Sequence, residues 1–403
     1  MTQTATPTAN RIVSLDVLRG FALLGIFVMN MISFAMVGSN YLNPMAEEVL
    51  TGPDAWAYEF TQLFANTKFM SLFSILFGAG VVMFTDRLKV KGLSEAKWHY
   101  RRNFWLLLIG MAHGYLLWSG DILVSYALCS IWVFLFRNWS VRSLLILAAL
   151  FYSVEIGGSL LSGWSMPYWE ASEVAKLCEM WNPSQEYIND EIAAMTGSWM
   201  DQMPYRVENT IAMQTFVFLM IMSWKITAMM LLGMALYKSG VITGEKNKSF
   251  YKNLRFFGFF IGLGFVAFGM NKNAIHDYAC EYSFFQGTIF NSIGSVGVVL
   301  MYIGIIMLML QGSWGPKLEK YLAPVGRMAL TNYLMQTVIA TTIFFGHGFG
   351  LFGTLGRAEH WLVILPVWAF QIAFSKWWME RYKFGPAEWA WRSLTYWKKQ
   401  EMR

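Results

Sequence analysis

Charge is scarce in this chain. Asp, Glu, Lys and Arg supply 14% of its 403 residues, where an ordinary soluble domain carries about 25%. That deficit excludes a disordered chain, a long charged coiled coil and a soluble multidomain enzyme. Cysteine is scarcer still, at three residues with no CxxC pair and no Cys/His cluster at metal-ligand spacing. Neither a disulfide scaffold nor a structural zinc site fits that count. The opening MTQTATPTAN is polar and lacks the apolar core of a signal peptide. No polar stretch is long enough to form a soluble domain, and no solenoid repeat is visible.

What the chain has instead is apolar bulk: 56% hydrophobic residues, with 32 Phe, 19 Trp and 27 Met. A membrane-crossing helix needs roughly 20 mainly apolar residues. Such runs occur at 18–37, 66–85, 103–118, 121–136, 142–163, 210–237, 254–271, 285–311, 328–346 and 361–379. The expected fold is therefore an all-α polytopic membrane protein of about ten transmembrane helices.

The segments between these runs alternate in charge. Arg87, Lys89, Lys91, Lys97, Arg101 and Arg102 separate the second run from the third. The loop 164–209 instead holds Glu170, Glu173, Glu179, Glu186, Asp190, Glu191, Asp201 and Glu208. With both tails and the even-numbered loops inside, only Lys176, Arg206, Lys272 and Arg357 fall on the outer side. The positive-inside rule then predicts cytoplasmic termini and an even number of spans. The formal charge of +6 is mostly that asymmetry and implies no nucleic-acid partner. Trp164, Trp169, Trp181 and Trp199 make loop 164–209 read as one or two amphipathic helices on the outer interface. Cys178 and Cys280 both map to the outer side, where they either bond or remain two free thiols.

Ionisable groups inside spans cost about 2.5–3.5 kcal/mol each on insertion scales, so they usually face an interior and act there. Asp16 and Arg19 share a face of the first span, and Asn30 continues that stripe about 20° away. They read either as substrate-binding groups or as a helix-dipole partner and a snorkelling anchor. His113 lies within Gly110-Met-Ala-His113-Gly114, small neighbours that would open space beside a proton-transferring imidazole. An interhelical hydrogen bond is the competing role. Asp121, at the return turn, reads as the carboxylate that orients His113 or as a helix cap.

Lys225, deep in the sixth span, reads as an anion-binding group or the partner of Glu155, while Lys68 is expected to snorkel outward. Gly326-Arg327 opens the ninth span, with Asn332 and Gln336 one turn apart. An arginine at a helix N-terminus suits an anion. Arg19, Arg101, Arg102 and Arg327 together suit a phosphate-bearing ligand, and positive-inside anchoring also explains each of them.

Several stretches carry a specific resemblance. Arg11-Ile-Val-Ser-Leu-Asp16-Val-Leu-Arg19-Gly20, Lys68-Phe-Met-Ser-Leu-Phe-Ser-Ile-Leu-Phe-Gly78 and Gly110-Met-Ala-His113-Gly-Tyr-Leu-Leu-Trp-Ser-Gly120-Asp121 are among them, with Gly326-Arg327-Met-Ala-Leu-Thr-Asn332-Tyr and Phe384-Gly-Pro386-Ala-Glu-Trp-Ala-Trp-Arg392. In these the chain resembles the YeiB-type bacterial inner-membrane family across nearly its whole length. The opening motif is also similar to that of heparan-α-glucosaminide N-acetyltransferase.

That second resemblance implies a transmembrane acyltransferase drawing on cytoplasmic acyl-CoA and acting on an outer hydroxyl or amine. His113 would be base or acyl carrier, held by Asp121, with Asp16, Arg19, Asn30, Lys225 and Asn332 binding substrate. Arg101, Arg102 and Arg327 would hold the acyl-CoA phosphates. No tightly bound cofactor or metal is expected. The expected surroundings are the lipid bilayer of the bacterial inner membrane, a small-molecule or envelope-saccharide substrate and, as an open option, a second copy of the chain. Residues 1–240 carry the His113/Asp121 motifs and 241–403 form a YeiB-type C-terminal region, the two integrated as one membrane domain. A permease for a small anionic or lipidic solute, or a lipid- or quinone-binding protein without chemistry, are the alternatives.

Overall fold

The computed structural model describes residues 12–47 and 49–403, so Arg11, the tail before it and Glu48 lie outside the described residues. Everything regular in it is helical, with no strand among the described residues. In chain order the helices are α1 (Val13–Ala35), α2 (Gly52–Phe64), α3 (Lys68–Val90), α4 (Glu95–Leu116) and α5 (Leu123–Val133, then a turn to Phe136). Next come α6 (Val141–Ser165), α7 (Ala171–Trp181), α8 (Gln185–Thr196), α9 (Met203–Lys238) and α10 (Lys248–Ile275). The last are α11 (Cys280–Leu310), α12 (Gly315–Arg327), α13 (Ala329–Phe344), α14 (Trp361–Met379) and α15 (Pro386–Tyr396).

Local sequence explains several of these starts. Ser94, Ser140, Ser184 and Asn247 each accept a hydrogen bond from the backbone N–H three residues on, and so cap α4, α6, α8 and α10. Gly92, at φ +67°, lets the chain turn away just past the end of α3.

Among the described residues, seven helical stretches are long and apolar enough to cross a membrane: α1, Gly52–Val90, Val141–Tyr168, α9, α10, α11 and α14. These hold seven of the ten expected segments. The remaining three, 103–118, 121–136 and 328–346, lie in α4, α5 and α13, which are shorter or more polar. His113 lies in α4 and Asn332 in α13, and Asp121 sits in the turn just before α5. Their polarity is absorbed by packing rather than offered to lipid.

Burial separates centre from rim. In the apolar stretch of α1, 78% of residues are buried, against 11% in that of Val141–Tyr168. Helix α1 packs on α3, α12 and α13, while α9 packs on α3 and α6. The α3–α9 crossing is backbone to backbone. A methyl carbon on Gly78 would lie 2.0 Å from the Met230 carbonyl oxygen, and one on Gly233 1.9 Å from that of Ile75. Gly20 and Gly326 meet likewise, so the space that Gly20 leaves beside Arg19 is filled by α12.

Loop 164–209 contains two helices, α7 and α8. Trp164 is exposed, but Trp181 is buried against Met166 and Cys280 and donates to the Tyr278 carbonyl at 2.9 Å. Trp181 therefore holds the loop onto the bundle rather than facing the interface. Cys178 and Cys280 are joined by a disulfide spanning 102 residues of sequence.

Candidate functional site

His113 is fixed from both ring nitrogens. Its Nδ1 lies 2.7 Å from Asp121 Oδ2 and its Nε2 2.9 Å from Thr337 Oγ1. All three residues are buried. The other Asp121 oxygen accepts from the Val124 amide at 2.9 Å, so Asp121 both caps α5 and orients the imidazole. The two roles left open for Asp121 coexist. With the carboxylate on Nδ1–H, the Nε2 lone pair faces the Thr337 hydroxyl, the tautomer a general base needs.

Tyr333 and Trp118 wall the ring, with centroids 5.1 and 6.2 Å away. Gly110 and Gly114 do not open a void beside it. A methyl carbon on Gly110 would meet the Val124 amide at 2.8 Å, and one on Gly114 would meet Thr210 at 3.2 Å. The small residues admit the Asp121 turn instead of a ligand.

At the basic end of the bundle, Arg19 donates to Asp16 at 3.3 Å. Asn30, eleven residues farther along α1, takes no part in that pair. Arg102 lies within electrostatic reach of Arg19 and Arg392, and its guanidinium stacks 4.4 Å from the Trp391 ring centre. Arg101 stacks at 3.5 Å on Trp397. Arg327 directly follows Gly326, which touches the backbone of Asp16. These arginines thus gather where α1, α4, α12 and α15 end.

The anion place at the start of α13 is, however, already filled. Glu388 of α15 accepts from the Leu330 amide at 2.7 Å, the Thr331 amide at 3.2 Å and the Thr331 hydroxyl at 2.6 Å. A carboxylate of this chain takes the role expected for a ligand phosphate. Burial raises the Glu388 pKa, and the hydrogen bonds from Thr331 and Leu330 oppose that rise.

Asn332 belongs to a separate chain of amides. Its Nδ2 donates to Ser375 Oγ at 2.8 Å and its carbonyl accepts from Gln371, which in turn accepts from Gln336 at 2.9 Å. This network ties α13 to α14 and does not include His113.

Lys225 is likewise elsewhere. Its Nζ donates to Ser292 Oγ at 3.0 Å, Ser292 donates to Glu155 Oε1 at 2.9 Å, and the two charges stand 3.6 Å apart. Lys68 does not snorkel: it is fully buried, donating to the Gln62 carbonyl and, at 2.5 Å, to Asn291 Oδ1. Two lysines and one carboxylate therefore converge on Asn291 and Ser292 of α11. The hydrogen bonds of His113 run to Asp121 and Thr337, and those of Lys225 to Ser292 beside Glu155.

Three participants carry no warning in the sequence. Thr337 is an unremarked hydroxyl in an apolar helix, and Asn291 and Ser292 sit in the middle of an apolar run. Glu388 lies in a recognisable motif, but its target is 57 residues away in sequence. No group of three or more His, Cys, Asp or Glu side chains is arranged to hold a metal among the described residues.

A family model described as a protein of unknown function (DUF418) matches residues 236–398. The uncharacterized protein YeiB of Escherichia coli (strain K12) is 32% identical over 395 residues, covering 96% of both chains. The uncharacterized protein YxaH of Bacillus subtilis (strain 168) is 31% identical over 410 residues, covering 97% of this chain and 96% of its own. An uncharacterized 39.9 kDa protein from the amylase 3' region of Bacillus acidopullulyticus is 28% identical over 387 residues.

Proposed function

The chain belongs to the YeiB-type family, and from that premise we propose that it is a transmembrane acyltransferase of the bacterial inner membrane. The observation that carries this reading is the buried Asp121–His113–Thr337 hydrogen-bonded chain. Thr337 presents a hydroxyl to Nε2, so the ring is arranged to take a proton from an O–H group. Asp121 compensates the imidazolium that results, as carboxylates do in acyl-transfer centres on unrelated folds.

The step is a simple exchange. An acceptor hydroxyl or amine gives its proton to His113 Nε2 and attacks the thioester carbonyl of acyl-CoA. The C–S bond breaks, and the proton passes to the departing thiolate. Arg19, Arg101, Arg102 and Arg327 supply positive charge for the donor's phosphates at the basic end, which this reading assigns to the cytoplasm along with both termini. Acyl-CoA is a co-substrate here and not a resident cofactor. The acceptor is an envelope saccharide or small molecule on the other side, and the chain crosses the bilayer about ten times.

The test uses the purified full chain with acetyl-CoA. Expected outcomes are a higher Tm with acetyl-CoA, thiol release, and at least a 100-fold loss of release in His113→Ala and Asp121→Asn with the Tm shift kept. Absence of both the Tm shift and thiol release in the unmodified chain overturns the reading.

One observation favours a second reading. Glu155 Oε2 is buried without a hydrogen-bond partner beside Lys225 and within the Lys68 cluster. Such a charge set inside a span suits a permease coupled to proton movement. Vesicle uptake of a small anion driven by a proton gradient and abolished by Lys225→Met would favour it over acyl transfer.

A further inference from the structure

Away from His113, on the side of the Cys178–Cys280 disulfide, a small cavity lies between α1, α2 and the start of α14. Its polar lining is Tyr58, Thr61, Arg357 and His360, and its apolar lining includes Val28, Ile32 and Trp361. Two of these polar side chains are buried and incompletely satisfied. His360 is 3% exposed with Nε2 unpartnered, and Arg357 is 6% exposed with Nε unpartnered. Unpaired buried polar atoms are costly, and two lining one cavity call for a common partner.

The chemistry of that partner follows from what the two groups already do. The His360 ring hydrogen-bonds the Leu355 carbonyl, which commits its N–H and leaves Nε2 as a lone pair. Burial, and then the charge of Arg357, lower its pKa to about 4, so the ring is neutral at pH 7. Arg357 donates through one terminal nitrogen to the Asn40 carbonyl at 2.8 Å, which leaves Nε–H as a donor. Its positive charge is already offset by Asp54 and Glu47 within electrostatic reach.

A carboxylate has no hydrogen for Nε2, and a carboxylate or a phosphate alike meets the negative charge of those two acids. An ammonium group is repelled by Arg357 and has nothing to accept with. A hydroxyl both donates and accepts, and the cavity has room for about one group of that size.

We propose that this cavity binds one neutral hydroxyl group of an alcohol or sugar, with His360 Nε2 accepting its hydrogen and Arg357 Nε donating to its oxygen. The inference is independent of acyl transfer at His113 and stands or falls separately.

The test is a titration of the full chain, labelled with 15N-histidine, by ethylene glycol, sodium acetate and sodium phosphate. The His360 signal is identified by its loss in His360→Phe. Ethylene glycol is expected to move the Nε2 resonance saturably while acetate and phosphate leave it unchanged. Arg357→Lys, which keeps the charge but lacks an Nε–H, is expected to weaken glycol binding at least tenfold. The titration of the unmodified chain needs no variant to be read. A saturable shift with acetate or phosphate overturns the proposal in favour of an anion site. No shift with any of the three overturns it in favour of a site for water alone.

Discussion

At the scale of single residues, the Asp121–His113–Thr337 chain separates two kinds of contribution. Asp121 serves both the imidazole and the Val124 amide. Removing its charge therefore costs stability as well as orientation. Asp121→Ala leaves a buried imidazole N–H and a buried amide N–H unpaired, and each buried donor left without a partner costs about 1–3 kcal/mol. Thr337→Val removes one hydroxyl from its hydrogen bond to the imidazole, worth about 1 kcal/mol. Thermal unfolding in detergent should rank the losses Asp121→Ala well above Thr337→Val. If Thr337→Val also lowers thiol release from acetyl-CoA at least tenfold at nearly unchanged Tm, Thr337 acts on the chemistry. Unchanged release would restrict it to holding the ring.

At the scale of helices, α15 shows how a short segment can fix a long one. Glu388 satisfies the first amides of α13, which otherwise end at the break at Met328. Glu388→Ala should cost about 1–2 kcal/mol, as loss of a helix cap does, read as a lower Tm. Glu388→Gln should recover part of it through its remaining carbonyl oxygen.

A second carboxylate fixes α8. Glu191 accepts from the Gly38 amide at 3.1 Å, just beyond α1. Burial pushes its pKa up to about 7, with Gly38 opposing the rise and Glu47 adding to it. The folded chain then binds this proton more tightly than the unfolded chain, whose glutamate titrates near 4.3. Its contribution is complete below about pH 4 and is lost as pH rises through about 7, at most about 4 kcal/mol in all. Glu191→Gln should therefore flatten the fall in Tm between pH 5 and pH 8, and a parallel fall in both proteins would refute the assignment.

These two carboxylates also mark the limit of what was legible beforehand. Apolar runs disclose helices because lipid and core both demand them, and every expected segment lies in one. His113 and Asp121 were legible as a pair because the tight turn brings residues eight apart together. Glu388 and Thr337 were not, since their partners lie 57 and 224 residues away and only packing brings them near. Lys68 read as an anchor because its partner, Asn291, is supplied by α11 across 223 residues.

At the scale of the whole molecule, polarity is sorted along the bundle as well as between core and rim. Arg19, Arg102, Arg327 and Arg392 collect at one end, while the disulfide, α7, α8 and Arg357 belong to the segments at the other. A disulfide forms stably only on the oxidising side of a bacterial inner membrane. The excess of Lys and Arg in its loops is the ground on which the basic end is proposed to be cytoplasmic. One criterion is redox and the other electrostatic, and the proposed topology requires them to mark opposite ends. Reporter fusions after residues 180 and 320 are therefore expected to report opposite sides of the membrane. The unmodified chain should also migrate differently on gels with and without reductant, and Cys280→Ser should abolish that difference. Fusions landing on one side would remove the basis for a cytoplasmic donor site and an outer acceptor. Opposite sides with no mobility difference would keep the topology and remove the disulfide.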